Sequence, residues 1–163
     1  MNTDSFSVLL EELGKELSKE LGGALGGHLA LHPDRNNSCL IHLKEGINIQ
    51  LEIDSTGEFL ILGCMIGKVP AGKYRENLFK EALKANDADY PTHGIFAYSK
   101  KEDELLLFQK IHLTDLSGVK LASMIDPFAA KGLIWIEAVK GETIPSATNE
   151  PGVRTPGSGL FGL

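Results

Sequence analysis

The N-terminal segment carries apolar side chains at spacings of three and four residues, the period of an α-helix with one buried face. Lysine and glutamate residues occupy its opposite side. Thr3 or Asp4 can cap the start, and Gly22 and Gly23 can supply the left-handed residue that ends the helix. The pattern predicts an amphipathic helix over residues 3–21. Its apolar positions are Phe6, Leu9, Leu10, Leu13, Leu17 and Leu21.

Short apolar runs separated by turn residues follow this helix and predict strands. The third run alternates strictly between apolar and polar positions, which predicts a strand buried on one face only. The fourth is apolar on both faces, so we expect both faces to be covered. Turns this short favour an antiparallel meander. The predicted strands are "HLALH" (28–32), "SCLIHL" (38–43), "INIQLEI" (47–53) and "EFLILGCMI" (58–66).

The segment "YRENLFKEALKAN" (74–86) predicts a short helix over residues 73–85. It carries two large apolar residues side by side, Leu78 and Phe79, which point in different directions around the helix and exceed the needs of one narrow apolar face. A hairpin of two strands follows, at residues 94–99 and 104–111, and its second strand is again apolar on both faces.

A helical period from Leu116 to Val139 predicts a long last helix. Asp126 and Pro127 lie in its middle, and proline removes a backbone donor and clashes with the preceding turn. We therefore expect a kink or a break there, with Asp126 capping the second piece. The element order predicts an α+β fold, with a single twisted, mainly antiparallel sheet of five to six strands and three helices.

Length and composition predict one folded domain followed by a tail. The chain has 163 residues, of which 42% are hydrophobic and 23% charged, values typical of a folded domain with its own core. We place this domain at residues 1–140. Residues 141–163, "GETIPSATNEPGVRTPGSGLFGL", are rich in glycine, proline and serine and predict a flexible tail. Its end, "GLFGL", is the part suited to apolar contact.

Charge and hydropathy exclude two classes of partner. The net charge of −6 argues against nucleic acid, whose binding requires clustered basic residues. No apolar run approaches the roughly 20 residues that a membrane span needs, and the N-terminus lacks a basic region followed by an apolar stretch. We therefore expect a protein of the cytosol that does not insert into membranes.

Tests for catalytic and metal-binding motifs give no positive signal. The cluster "GGALGG" (22–27) connects a helix to a strand and lacks the residues of a phosphate-binding loop. His28 and His32 would lie roughly 13 Å apart on a strand that rises about 3.3 Å per residue, too far to share one ion. Cys39 and Cys64 form no CxxC and are interpreted as small buried hydrophobes. We expect no catalytic residue, no cofactor and no metal.

Apolar surface remains unexplained, because three helices cannot cover both faces of this sheet evenly. In this context three segments resemble the CesT/SycE-like (class I) family of type III secretion chaperones. In that family a short helix with an LF-like pair and an Ala-Asn end precedes a hairpin whose second strand is almost wholly apolar. A long helix with a tryptophan near its end, here Trp135, closes the fold. The matching segments are "ENLFKEALKAN", "GIFAYSKKEDELLLFQKIHL" and "LSGVKLASMIDPFAAKGLIWIEAV".

The resemblance implies a homodimer in the bacterial cytosol that binds the N-terminal region of a secreted effector in extended form and has no enzymatic activity. Pairing with a second, different chaperone stays open. Two alternatives from other classes also stay open: a small-molecule-binding or enzymatic α/β domain, and an unrelated dimeric adaptor. An enclosed pocket with converging polar groups would favour the first of these.

The candidate binding residues follow from the same resemblance and from apolar residues that one chain does not need. For the dimer interface we expect the middle helix to contribute Tyr74, Leu78, Phe79, Ala82 and Leu83. For the effector we expect an apolar surface on the first helix and the early strands, formed by Leu9, Leu13, Leu29, Leu31 and Leu40. Leu29 and Leu31 share a face if residues 28–32 form a strand.

Overall fold

The computed structural model describes residues 3–20, 29–43, 46–87 and 92–146. This part of the chain forms three α-helices and a five-stranded antiparallel sheet, in the predicted α+β order. The helices are α1 (Thr3–Glu20), α2 (Lys73–Asn86) and α3 (Gly118–Lys140). The strands are β1 (Ser38–His42), β2 (Asn48–Ile53), β3 (Phe59–Lys68), β4 (Ile95–Ser99) and β5 (Glu104–His112).

The strands lie in the order β1-β2-β3-β5-β4, so β1 and β4 are the two edges of the sheet. Helix α2 connects β3 to β4, and the β4–β5 hairpin then places β5 beside β3. The register pairs Leu51 with Leu62, and Leu107 with both Cys64 and Phe96. Because paired residues share a face, these side chains form one continuous apolar layer on one side of the sheet.

The core lies between that layer and the helices. Leu51, Leu62 and Leu107 are fully buried. Gly132 lets α3 approach the sheet, because a Cβ there would lie 3.3 Å from the Cys64 sulfur. Helix α1 packs against α3 with the apolar face predicted from the sequence, and five of its six predicted apolar residues are buried in the core. The sixth, Leu21, lies outside the described residues.

The predicted strand at residues 28–32 is wrong. Residues 29–32 contain no regular secondary structure, and His28 lies outside the described residues. The Leu29 N–H donates to the Ser18 hydroxyl of α1 (2.9 Å). Its carbonyl lies so close to Gly14 that a Cβ there would approach the oxygen to 2.2 Å. Contact with α1 therefore replaces pairing with β1.

Of the kink or break predicted at Asp126 and Pro127, the break is wrong, because α3 continues through both residues, and the kink stays a prediction. Asp126 is exposed within the helix and caps nothing, whereas the Ser117 hydroxyl accepts from the Lys120 N–H at the actual start. Proline inside a helix costs about 3 kcal/mol. The buried side chains of Ile125 and Phe128, on either side of the proline, each contribute about 1.5–3 kcal/mol, which offsets that cost.

The first residues after α3 are bonded to the domain. The Thr143 N–H donates to the Ala138 carbonyl (2.9 Å), and the Tyr74 hydroxyl lies 3.0 Å from the Ala138 oxygen and 3.1 Å from the Thr143 oxygen. Residues 147–163, most of the predicted flexible tail, lie outside the described residues. The boundary at residues 140 and 141 stays a prediction.

Candidate binding surface

The backbone of β1 shows which of its residues face away from the sheet. The Leu43 N–H donates to the Ile47 carbonyl (2.9 Å), and the Ile53 N–H donates to the Asn37 carbonyl (3.3 Å). In an antiparallel pair, residues that bond to the neighbouring strand alternate with residues that do not. The odd-numbered residues of β1 therefore bond to β2, and the even-numbered ones direct their N–H and C=O groups outward.

Two of these outward residues leave backbone groups available. At Ser38 both groups are used, since the N–H donates to the Asp34 carboxylate (2.9 Å) and the carbonyl accepts from the Asp34 N–H (2.7 Å). At Leu40 and His42, no hydrogen bond to the outward backbone groups is formed by any described part of the chain. The middle of the β1 edge can therefore accept an added strand.

The opposite edge of the sheet is partly blocked. The Asn86 side chain, at the end of α2, bonds both backbone groups of Phe96: its oxygen accepts from the N–H (2.8 Å) and its amide donates to the carbonyl (2.9 Å). The buried Lys131 ammonium donates to the Gly94 carbonyl (3.1 Å) and the Thr92 carbonyl (2.6 Å) at the start of β4. A strand that adds to this sheet therefore finds two successive unbonded outward residues at β1, Leu40 and His42, whereas at β4 only Tyr98 lacks a described partner.

A groove with a mixed polar and apolar lining, here the edge groove, runs beside the outer edge of β1, between this strand and residues 30–32. It encloses about 510 Å³ and is open to solvent. Leu40 stands in its wall with 51% of its surface exposed. The lining residues are Ala30, Leu31, His32, Asp34, Ser38, Cys39, Leu40 and Gln50.

A second groove, here the open-face groove, has a volume of about 540 Å³ and is lined mostly by residues on the side of the sheet away from the core layer. Its lining also includes Cys64 and Leu107 of the core layer and Ile136 of α3. The pairing of β2 with β3 ends at Gln50 and Gly63, although β3 continues to Lys68. Gly63 contributes no side chain to fill the space. Apolar side chains dominate the lining, with Met65 47% exposed. They belong to Leu40, Ile61, Met65, Leu106, Phe108 and Ile136.

The predicted effector-binding residues separate into two groups. Leu9, Leu13 and Leu31 are buried in the core, so their expected exposure is wrong. Leu29 is half-buried against that core, and Leu40 is exposed. The prediction assumed that residues 28–32 form a strand with a solvent-facing side. Contact with α1 instead turns Leu31 inward.

The predicted dimer residues also divide between the two sides of α2. Leu78 and Ala82 face the core of their own chain, which corrects their expected place in the interface. Tyr74 is half-buried and bonds to the end of α3. Phe79 is half-buried, and Leu83, one turn further along, is 66% exposed. The adjacent apolar pair thus serves two surfaces, since Leu78 points into the core and Phe79 lies at the border of the core, beside Tyr98.

Sequence reasoning missed a polar cluster beside Phe79. The Phe79 ring packs 5.5 Å from the Tyr98 ring, and the Tyr98 hydroxyl donates to the Asp103 carboxylate. That hydrogen bond is the main reason why the pKa of Asp103 lies below its usual value. The Arg75 guanidinium pairs with Asp103 at 3.3 Å. No local sequence signal marks this cluster, because the arginine lies on α2 and the carboxylate on the β4–β5 turn.

The two cysteines are buried and free, as predicted. Burial raises the pKa of the Cys64 thiol to about 11 and also raises that of Cys39, so both thiols are protonated and unreactive at neutral pH. Within the described ranges, no three His, Cys, Asp or Glu side chains are grouped so as to hold a metal ion. None of the described helices is long and apolar enough to span a membrane.

Comparison with known families decides the family. The model of the Tir chaperone protein (CesT) family matches residues 9–135. This range contains the whole sheet, all of α2 and most of α1 and α3. The chain belongs to the CesT family. The resemblance seen in the sequence is therefore confirmed, and the two grooves and the free edge belong to a protein of a chaperone family.

Solved structures share this CesT-family fold at low sequence identity. A chain of the HopA1–SchA chaperone–effector complex matches with a TM-score of 0.60 and 16% identity, covering 86% of this chain and 98% of that one. The Yersinia pestis type III secretion chaperone SycH, in complex with a fragment of YscM2, matches with a TM-score of 0.56 and 17% identity, and the match covers 77% of this chain and 98% of that one. A chain of the ExoU–SpcU complex of Pseudomonas aeruginosa matches with a TM-score of 0.54 and 15% identity, and the match covers 73% of this chain and 94% of that one. No curated protein sequence matches the chain.

Proposed function

We propose that this CesT-family protein is a type III secretion chaperone of the bacterial cytosol. It binds the N-terminal region of a secreted effector in extended form and keeps the effector soluble and competent for secretion. The observation that carries the proposal is that no described residue bonds the outward backbone groups of Leu40 and His42 on β1, beside a groove whose wall includes the exposed Leu40 side chain. The matched structures include complexes of type III secretion chaperones with their effectors, which supports the same role.

Strand addition explains how such a surface binds many sequences. The backbone of the incoming segment pairs with the outward groups of Leu40 and His42, which contributes affinity without reading sequence. Alternate side chains of the segment then point to opposite faces. One set enters the edge groove, and the other meets the exposed side of Leu40. This function requires no catalytic residue and no cofactor, and both grooves are open troughs rather than the enclosed pocket of a small-molecule site.

Leu40→Pro should abolish or strongly weaken effector binding while the fold persists. Proline is tolerated on an edge strand where the missing N–H faces solvent, but it removes a donor that an added strand would use. The lost hydrogen bond contributes about 0.5–1.5 kcal/mol, and the ring also obstructs close approach. We expect binding at least about tenfold weaker than for the control Leu40→Thr, which removes the apolar side chain but keeps the N–H.

The measurement has two steps. Copurification from the native cytosol, with the wild-type chain as bait, should recover a secreted protein, whose N-terminal segment is then titrated against both variants by calorimetry. Circular dichroism checks that both variants are folded. Equal affinities for Leu40→Pro and Leu40→Thr would exclude pairing at the β1 edge. Recovery of no secreted protein by the wild-type chain would argue against the chaperone function itself.

We further propose a homodimer through the outer side of α2. Phe79, Leu83 and Tyr98 form an apolar surface there that the chain's own core does not cover. A second, different chaperone could take the place of the identical copy, and the same surface would serve it. Pairing two such surfaces removes apolar area from water on both partners, the main favourable term in association.

Leu83→Glu should convert the dimer into a folded monomer, because it places a charge in the apolar interface. The control is Asn77→Glu, which adds the same charge at another exposed position of α2. Light scattering should give the monomer mass for Leu83→Glu and the dimer mass for the wild type and for Asn77→Glu. A dimer that survives Leu83→Glu would place the interface elsewhere.

A further inference from the structure

We propose that residues 159–163, "GLFGL", bind in the open-face groove of their own chain and fill it when no partner does. These residues lie outside the described part of the chain. The proposal concerns a different surface from the β1 edge and does not depend on the identity of an effector. Four observations support it: the unfilled groove, the route of the chain, the composition of the segment, and charge.

The groove offers apolar surface that the fold itself leaves open. Ile61, Leu106 and Phe108 are half-buried around Gly63, and Met65 remains 47% exposed. Among the described helices only α3 contributes a lining residue, Ile136, and the groove stays open to solvent. A few apolar side chains of an extended segment are enough to fill a space of about 540 Å³.

The chain leaves the domain close to this groove. Ile136, in the penultimate turn of α3, is one of the groove's lining residues. One turn later the Val139 side chain lies 3.6 Å from the Cβ position of Gly67, near the end of β3. Twelve residues separate Ser146 from Gly159. A random coil of twelve residues would span about 20 Å on average, and a segment tethered over such a distance is present at an effective concentration of about 1 mM.

The segment has the composition that the groove requires. Leu160, Phe161 and Leu163 are three large apolar residues within five positions, and the rest of residues 147–163 contains one more, Val153. Gly159 before them and Gly162 between them would permit close approach of the backbone to the sheet. Such a cluster would otherwise remain in water.

Charge also matches between the segment and the groove. Glu52 is the charged residue among those that line the open-face groove, and it is exposed. Arg154 is the single basic residue in the sequence from 147 to 163. Such a pair contributes little affinity at an exposed position but favours one orientation of the segment.

The consequence is a protected groove. An apolar surface of this kind promotes association with other proteins when it is exposed. A tethered occupant covers it in the free protein and is displaced by any ligand that binds the groove more tightly. The segment would then act as a weak internal competitor, and its removal would strengthen binding of groove ligands.

Methyl NMR of the full-length chain, labelled with ¹³C at the methionine methyl groups, tests this directly. The chain has three methionines, Met1, Met65 and Met124, and the substitution Met65→Leu identifies the Met65 signal. The aromatic ring of Phe161, docked beside Met65, should shift that methyl resonance. We expect Phe161→Ser to move the Met65 signal and to leave the signal of Met124, on α3, unchanged.

Two comparisons make the result specific. Val153→Ser, which removes an apolar side chain from the same segment outside the cluster, should leave the Met65 signal in place. The wild-type shift should not change when the protein is diluted, because the contact is within one chain. A Met65 signal that is identical in the wild type and in Phe161→Ser would overturn the proposal. A signal that moves with dilution would do so too, since a second copy would then fill the groove.

Discussion

Leu78→Glu should leave the protein unable to fold, whereas Leu83→Glu, five positions further along α2, should leave it folded. Leu78 is completely buried in the core of its own chain. The substitution forfeits about 1.5–3 kcal/mol of burial and places an ionisable carboxyl group in an apolar core, which costs several kcal/mol more. The sum is comparable with the roughly 5–15 kcal/mol that stabilises an entire domain.

Far-UV circular dichroism and gel filtration distinguish the two variants. Leu78→Glu should give the spectrum of an unfolded or aggregated chain, and Leu83→Glu the spectrum of the wild type. The pair separates an effect on the core from an effect on association, since the chemistry is the same and only the exposure differs. A folded, monomeric Leu78→Glu protein would instead place Leu78 in the dimer interface, as the sequence alone led us to expect.

The elements with a strong hydrophobic period were predictable. The face of α1 that contains Leu9 and Leu13, and the alternation at Ile49 and Leu51 in β2, are set by burial of one side of a regular element. The period of an element is a local property of the sequence, so it survives in the structure. The hydrophobic period therefore predicted the order of the elements. Together with the motif around Trp135, that order indicated the family.

The local errors arose where a distant contact decides the conformation. Residues 29–32 have the composition of a strand, but their backbone bonds to Ser18 on α1. Pro127 disfavours a helix locally, but the buried Phe128 holds α3 in place. Neither contact can be recognised from the few residues next to it in the sequence. In both cases tertiary packing outweighs the local conformational preference.

The binding surface was only partly predictable, for a related reason. A helical or strand period tells which residues share a face, but not which face points to the core. Leu78 and Phe79 were therefore assigned to one interface, although Leu78 is fully buried in the core and Phe79, about 100° further around α2, is only partly buried at its border. Similarly, the Asn86 side chain is visible in the sequence, but its partial blocking of the β4 edge depends on the place of Phe96 in space. The choice of β1 as the open edge follows from that contact.

Gly118→Ala should destabilise the protein by about 2–4 kcal/mol, although alanine is normally the better helix former by about 1 kcal/mol. Gly118 begins α3 where this helix crosses α1. A Cβ at this position would lie 2.4 Å from the Glu12 Cβ and 2.6 Å from both the Glu12 carbonyl carbon and the Leu13 nitrogen. Two of these atoms belong to the backbone, so a smaller side chain at Glu12 cannot relieve the clash and the helices must move apart.

Separating the two helices disturbs two further interactions. The Gly118 N–H donates to the Glu12 carboxylate (3.0 Å), and Leu13, completely buried at the crossing, loses part of its packing. The control is Gly63→Ala, where the nearest atom to a new Cβ lies 4.0 Å away. Urea denaturation should show a lower midpoint for Gly118→Ala and a nearly unchanged midpoint for Gly63→Ala, with similar slopes if the unfolded states are alike. If Gly118→Ala is as stable as the wild type, α1 and α3 do not cross this closely. Residues 29–32 are held by α1 and form one wall of the edge groove, so their position would then have to be revised.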